Sequence, residues 1–165
     1  MKRIPLTQNK FSLVDDSVFD ELMAFKWHAH FDGRNFYAER KKSIGGGKQK
    51  TIKMHSVIMN PKKGMIIDHI DGNGLNNQKE NLRICTKSQN GINRGKQKNN
   101  KSGFKGVYLR KNIKSLKFIA AARYHNKNIY LGTYDDAKKA AAVYDSFVRS
   151  KFGNFATLNF TGSEV

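Results

Sequence analysis

The chain has 165 residues, 31 Lys and Arg against 13 Asp and Glu, a formal charge of +18 and a single Cys. At about 100–200 residues per domain this length makes one or two small units, and the lone cysteine excludes a disulfide framework and a Cys-rich structural zinc site. The longest apolar run, residues 118–122, is too short to cross a bilayer, and the basic start MKRIPLTQNK has no apolar stretch behind it; neither a membrane span nor a secretory signal is expected, and the default is a cytoplasmic protein.

Residues 11–14 (FSLV) alternate like a short strand. Asp16 or Ser17 is placed to cap a brief helix through Phe25, with Val18, Leu22 and Phe25 on one face. Residues 26–31 and 35–41 read as a hairpin around Asp32-Gly33-Arg34, and residues 49–53 as a returning strand after the Gly45-Gly46-Gly47 loop. Met54 to Met59 predict one or two helical turns stopped at Asn60-Pro61. Trp27 reads as core, His28 and His30 as structural or surface groups, and His55 as helix packing or an exposed group, with a DNA contact as the alternative.

Residues 65–90, MIIDHIDGNGLNNQKENLRICTKSQN, have a different texture. A buried strand over 65–69 enters a turn rich in Asp, Gly and Asn. After the turn come a polar loop, a short strand over 82–85 with Cys85 as a small core residue, and a helix capped by Ser88. Hydrolysing a phosphodiester needs a base for water, a cation for the transition-state charge, and a frame for both. His69 titrates near neutral pH and is the natural base. Asp68 lies beside it, on the opposite side of the pleat unless the strand ends there. Asp68 and Asn90 offer hard oxygens that favour magnesium or manganese over zinc. Asn81 can fix the loop by hydrogen-bonding across it, or hold His69 in the tautomer that leaves Nε2 available. On residue type alone, an Asp-His pair at a strand end and an Asn-rich loop are also common structural features.

The segment IIDHIDGNGLNNQKENLRICTKSQN, with MHSVIM ahead of it, resembles the HNH nuclease motif of the homing-endonuclease kind, with Asn in place of the final His. The likeness covers about residues 54–93. It implies a ββα-metal fold in which Asp68 and Asn90 bind one divalent metal, Mg2+ or Mn2+, together with the scissile phosphate. It makes His69 the general base and Asn81 the residue that orients the loop and the histidine. Asn90 fits a one-metal magnesium site better than tight zinc binding. Arg83 is either a phosphate clamp, which its fork suits, or a solvated surface group. Residues 1–53 show no function of their own; they either brace the nuclease unit or add DNA contacts.

Residues 94–103 (RGKQKNNKSG) have no apolar residue and read as a basic, extended linker at a domain boundary. They lie within the acid-free stretch 81–134, which holds 13 Lys and Arg and no Asp or Glu, whereas residues 135–165 carry four of each sign. Such a stretch repels itself unless a polyanion lies beside it, and nucleic acid releases counterions when it does. Arg94 is a candidate DNA contact within it.

From Phe104 the pattern becomes three strands, FKGVYLRK, KFIAAARY and KNIYLGTY, and a helix of about 17 residues opened by Asp135. Ala137, Ala140, Ala141, Tyr144 and Val148 form its apolar stripe. Alternation turns Val107, Leu109, Phe118, Ala120, Ala122, Ile129 and Leu131 toward the helix and leaves Tyr108, Arg110, Arg123 and Tyr130 on the other face. Arginines there can read guanine in the major groove while lysines hold phosphates, and Gly106 would let the backbone approach closely. The pieces SGFKGVY, KFIAAARY, IYLGTYDDAKKAAAVYD and NFATLNF resemble the Apetala/ethylene-response-factor DNA-binding domain, over about residues 102–160. The resemblance implies a three-stranded sheet laid in the major groove and backed by one helix, with Lys105, Tyr108, Arg110, Arg123 and Tyr130 facing DNA. Ala121 stands where plant members have an acidic residue, so their base preference does not transfer.

The expected fold is α+β: an N-terminal β-rich region (1–53), a ββα-metal nuclease unit (54–93), a basic linker (94–102), and a three-stranded antiparallel sheet packed on one helix (103–160). The expected function is site-specific, homing-type hydrolysis of double-stranded DNA with one divalent metal. Nicking is the expected mode, since each chain holds one centre. The setting is a phage or its bacterial host, with no membrane, small-molecule cofactor or structural zinc. The rival reading is a non-catalytic sequence-specific DNA-binding protein or repressor that keeps a nuclease-like fold.

Overall fold

The computed structural model describes residues 1–97, 99–112 and 115–160. It is a mixed α+β chain that divides into two compact units, residues 1–86 and 87–165. Among the described residues no helix is long and apolar enough to cross a membrane.

The first unit opens with β1 (Lys2–Pro5) paired antiparallel to β2 (Phe11–Val14), followed by helix α1 (Asp16–Met23). A meander of β3 (His28–Phe31), β4 (Phe36–Ser43) and β5 (Gln49–Lys53) comes next, then the short helix α2 (Met54–Met59). The strands β6 (Ile66–His69) and β7 (Leu82–Cys85) form a separate antiparallel ribbon. The core joins these pieces through Ile4, Val14, Leu22, Trp27, Ala38 and Met54. Burying each of the larger of these side chains contributes about 1.5–3 kcal/mol. Trp27 also donates its indole N–H to the Leu22 carbonyl at 2.7 Å, which satisfies its one polar atom.

Three local details differ from expectation. Residues 2–5 form a strand although they include two cations and Pro5, because β1 is an edge strand whose Ile4 anchors the core. The residue preceding α1 is Asp15, and its carboxylate accepts from the Lys79 N–H at 2.8 Å rather than capping its own helix. Phe25 lies beyond α1 and is exposed, with the Arg40 guanidinium 3.9 Å from its ring centre.

The long loop after β6 is latched to the N-terminal pieces. Leu13 N–H donates to the Leu75 carbonyl at 2.9 Å, and Asn77 N–H donates to the Leu13 carbonyl at 2.8 Å. At Gly74 a β-carbon would stand 2.4 Å from the Phe36 carbonyl oxygen and 2.6 Å from the Tyr37 ring, so only glycine lets the loop press this closely on β4.

The second unit contains α3 (Lys87–Asn93), β8 (Val107–Asn112), β9 (Ser115–Tyr124), β10 (Lys127–Tyr134) and α4 (Ala137–Phe152). The three strands form an antiparallel sheet in the order β10-β9-β8, with a bulge between Tyr130 and Gly132. One sheet face packs on α4 through Val107, Ala120, Ala140 and Ala141, and through Ala122, Tyr144, Val148 and Phe152. Asp136, not Asp135, caps α4 by accepting from the Lys139 N–H at 2.9 Å. Buried Asp145 accepts from the Asn159 and Phe160 N–H groups and ties the closing segment to the helix.

The division between units falls ahead of α3, whereas the sequence suggests a boundary at 94–102. The cause is Ile92, which is buried in the core of the second unit beside Ala122 and Tyr144. Ser88 is accordingly the second residue of α3 rather than its cap. The expected linker is folded against β8: Asn100 donates to the Phe104 carbonyl at 2.9 Å, and Ser102 donates to the Val107 carbonyl at 2.8 Å. Lys98 of that segment lies outside the described residues. Gly106 is required by packing inside the unit: its φ is +72°, and a β-carbon there would stand 2.0 Å from the Tyr144 ring.

Candidate active site

The β6–β7 ribbon places Asp68 directly opposite Arg83, and His69 opposite Leu82. Alternation therefore puts Asp68 and His69 on opposite faces, and both are buried. Arg83 grips the Asp68 carboxylate oxygen Oδ2 from two nitrogens, Nε at 2.9 Å and Nη2 at 2.8 Å. Of the two expectations for Arg83, neither a solvated group nor a ready phosphate clamp describes this arrangement: it is a half-buried cross-strand partner.

His69 Nε2 lies 3.1 Å from Asn77 Oδ1. The surrounding network decides which ring nitrogen carries the proton. Ser12 Oγ donates to the Leu75 carbonyl at 3.1 Å and accepts from Asn77 Nδ2 at 2.7 Å. Asn77 therefore turns its carbonyl oxygen to the histidine, and that oxygen can only accept. The proton sits on Nε2 and the lone pair on Nδ1. Of the two roles expected for Asn81, holding His69 with Nε2 available is not the one seen, since Asn77 is the partner of Nε2.

Asn81 instead braces the loop. Its side chain donates to Asp71 Oδ1 at 3.0 Å and to the Asn76 carbonyl at 2.8 Å, and accepts from the Asp71 N–H at 3.0 Å. Burial works to raise the Asp71 carboxyl, but hydrogen bonds from Asn76, the Asn73 N–H and Asn81 outweigh it and hold the group below its ordinary value. Sequence reasoning misses Asn77 because nothing local separates it from the other loop asparagines. Its role depends on Ser12 and Met54, which only the fold brings to it.

Aromatic rings enclose the histidine. The His55 ring is edge-on to His69 at 5.1 Å between centroids, and Tyr37 lies 5.9 Å from His69 and 6.0 Å from His55. Burial lowers the His69 pKa, against the upward pull of the Asn77 bond and of Asp71 and Asp68. Burial, with His69 and Lys53 nearby, pushes His55 down to about 3. Both imidazoles are neutral at neutral pH, which is the form a general base requires.

Asn90 sits on α3 and so belongs to the second unit, while Asp68, His69, Asn81 and Arg83 belong to the first. Among the described residues there is no group of three or more His, Cys, Asp and Glu that could hold a metal ion.

The second unit carries the other set of candidates. Tyr108 and Tyr130 are 60% and 65% exposed on the sheet face away from α4, and Arg110 and Arg123 are exposed on the same face. Arg94 is exposed just beyond α3. Lys105 does not join them. Its ammonium turns inward to donate to the carbonyls of Ile92 and Thr157, and burial, partly offset by Asp145, lowers its pKa to about 8. It straps α3 to the closing segment instead of facing DNA.

The HNH endonuclease family model matches residues 60–92, the segment that contains the stop after α2, the β6–β7 ribbon and most of α3. Forty-five residues, 27% of the chain, are 49% identical to Protein 3.8 of Escherichia phage T7 and cover 37% of that protein. Ninety-three residues, 56% of the chain, are 33% identical to an uncharacterized HNH endonuclease of Acanthamoeba polyphaga mimivirus and cover 46% of it. The chain thus spans less than half the length of these relatives. No solved structure matches it.

Proposed function

We propose that the protein is a site-specific DNA endonuclease of the homing type that hydrolyses one phosphodiester per active centre. The observation that carries the proposal is the coincidence of the HNH match over 60–92 with a buried, neutral His69 whose Nδ1 lone pair is set by Asn77. In this reading His69 accepts a proton at Nδ1 from the attacking water, while the bond from Nε2 to Asn77 keeps the ring from turning. Asn81 holds the loop that carries Asn77, and is a positioning residue. The carboxylate of Asp68 is a hard donor of the kind magnesium and manganese prefer, and it would hold a single divalent ion with the help of water and substrate oxygens; the amide oxygen of Asn90 is a donor of the same kind. When bound, that ion supplies Lewis-acid stabilisation of the charge that develops on the phosphate. Arg83 holds the Asp68 carboxylate oriented at the strand end.

Site selection falls to the second unit, whose exposed sheet face offers Arg110 for base edges and Tyr108 and Tyr130 for flanking contacts, with Arg94 and Arg123 in support. Relatives in a phage and in a giant virus support a viral setting in which the enzyme acts on DNA inside the host cell.

The test is cleavage of plasmid carrying the gene's own genomic neighbourhood. Cutting is expected with magnesium or manganese, not with EDTA, and His69→Ala is expected to lose it while retaining DNA affinity. Undiminished cutting by His69→Ala would overturn the assignment. Tight binding without cutting under any divalent ion would make the chain a DNA-binding protein on a nuclease-like fold.

A further inference from the structure

Within the second unit, α3 and the end of the β9–β10 hairpin enclose a cleft of about 360 Å³. It is lined by Lys87, Ser88, Gly91 and Ile92 on one side and by Arg123 and Asn126 on the other. Ile92 is its buried floor and fixes α3 against Ala122 of the sheet, so the two walls are held by a shared core. Lys87, Ser88, Arg123 and Asn126 are exposed, and their side chains make no hydrogen bond or ion pair with any described residue. None of the lining residues is acidic, and the whole stretch 81–134 holds no Asp or Glu.

Two unneutralised cations, a hydroxyl and an amide lining one cleft form a donor set for an anion. The volume lies at the small end of ligand clefts, roughly 300–1,000 Å³, enough for a phosphodiester and the sugars that flank it. The hydroxyl and amide suit its non-bridging oxygens.

We propose that this cleft seats one backbone phosphate of bound DNA, held between Lys87 and Arg123. Resting on the endonuclease reading, the site has a further meaning. The same helix that supplies Lys87 carries Asn90, and the same strand that supplies Arg123 belongs to the reading sheet. A phosphate locked between them fixes the register of the reading sheet along the DNA backbone. Arg123 is then a backbone anchor, and base readout from the sheet rests on Arg110.

The experiment measures binding of the full chain to DNA in EDTA, so that cleavage plays no part. Duplexes carrying the genomic neighbourhood and unrelated duplexes of the same length are titrated at a series of salt concentrations. Lys87→Gln and Arg123→Gln change exposed side chains, and circular dichroism checks that each variant keeps the fold. Each is expected to weaken binding to both duplexes by the same factor, and the double variant to lower the slope of log affinity against log salt by about 0.9, the value of one lost phosphate contact. The double variant is expected to lose less than the product of the two single losses, because both cations act on one phosphate. An unchanged slope in the double variant overturns the site. So does an Arg123→Gln loss confined to the genomic duplex, which would make Arg123 a base reader.

A parallel arm follows the Arg123 Nε–H resonance while inorganic phosphate is added. If the protein binds no DNA, the nuclease reading fails, and this arm decides the cleft: a shift that disappears in Lys87→Gln keeps it as a phosphate site, and no shift removes it. If the protein binds DNA with the expected slopes but never cuts, the nuclease reading fails and the cleft stands.

Discussion

Asn77 lies in a loop, yet it is 1% exposed and bridges the His69 ring to the Ser12 hydroxyl. Replacing it by Leu, of similar size, leaves the His69 Nε2–H and the Ser12 hydroxyl short of a partner. A loss of about 1–3 kcal/mol is expected from denaturant midpoints, together with a fall in the cleavage rate larger than any fall in DNA affinity. Asn77→Asp is expected to restore the acceptor to His69 but not the donor to Ser12, and so to recover part of the rate. Equal rates for Asn77→Leu and the parent would remove Asn77 from the support of the base. The neighbouring His55 supplies a pH test. Its folded value, about 3, lies below its ordinary value of 6.5, so below pH 6.5 the unfolded chain takes up a proton that the folded chain refuses. Stability is therefore full above pH 6.5 and declines as pH falls toward 3, by up to about 1.4 kcal/mol per pH unit for this one group. His55→Phe is expected to flatten that decline in melting temperature between pH 6.5 and 4. Asp71 adds to acid sensitivity only below its own ordinary value of 3.8, which keeps the two windows apart.

Elements of this chain are legible in the sequence where periodicity is strong, and less so where tertiary partners decide. The alternation of residues 107–110 and 118–123 gives the correct two faces of the sheet, because one face is apolar throughout and must meet α4. The short elements β6, β7 and α2 are readable from their apolar runs and from the Asn60-Pro61 stop. The strand β1 is not, since two cations and a proline mask a single anchoring isoleucine. The same limit applies in the site. His69 and Asp68 stand out by residue type, whereas Asn77 and the inward turn of Lys105 depend on segments distant in sequence. Gly106 is a case of the same kind: its sequence context suggests close approach to DNA, and the structure assigns the space to the Tyr144 ring. Gly106→Ala is expected to cost about 1–3 kcal/mol through overpacking, visible as a lower melting temperature, with weakened binding only in proportion to unfolding. A stable Gly106→Ala protein that loses DNA affinity would return the position to the interface.

At the level of the whole molecule, charge and chemistry are separated along the chain. The proposed general base, His69, and its supports lie in residues 1–86, while the acid-free stretch falls almost entirely in residues 87–165. Affinity for DNA is accordingly expected to depend steeply on salt, and the rate of the bound complex much less so. With His69 as the proposed base of each chain, a single copy is expected to attack one strand at a time. Nicked circles are expected to accumulate before linear plasmid, at a rate first-order in protein; linear product appearing directly, with second-order dependence, would point to paired copies. The latch between β2 and the Asn77 loop bears on inheritance as well as on catalysis. Because Ser12 and Leu13 hold the loop that carries Asn77, residues 60–92 take part of their support from outside that segment. A recombination event that moved that segment alone into a new gene would deliver a histidine without its scaffold. Active descendants of such shuffling are expected to have crossover points ahead of residue 11 or beyond residue 93, and chimeras cut inside those limits to bind DNA without cleaving it.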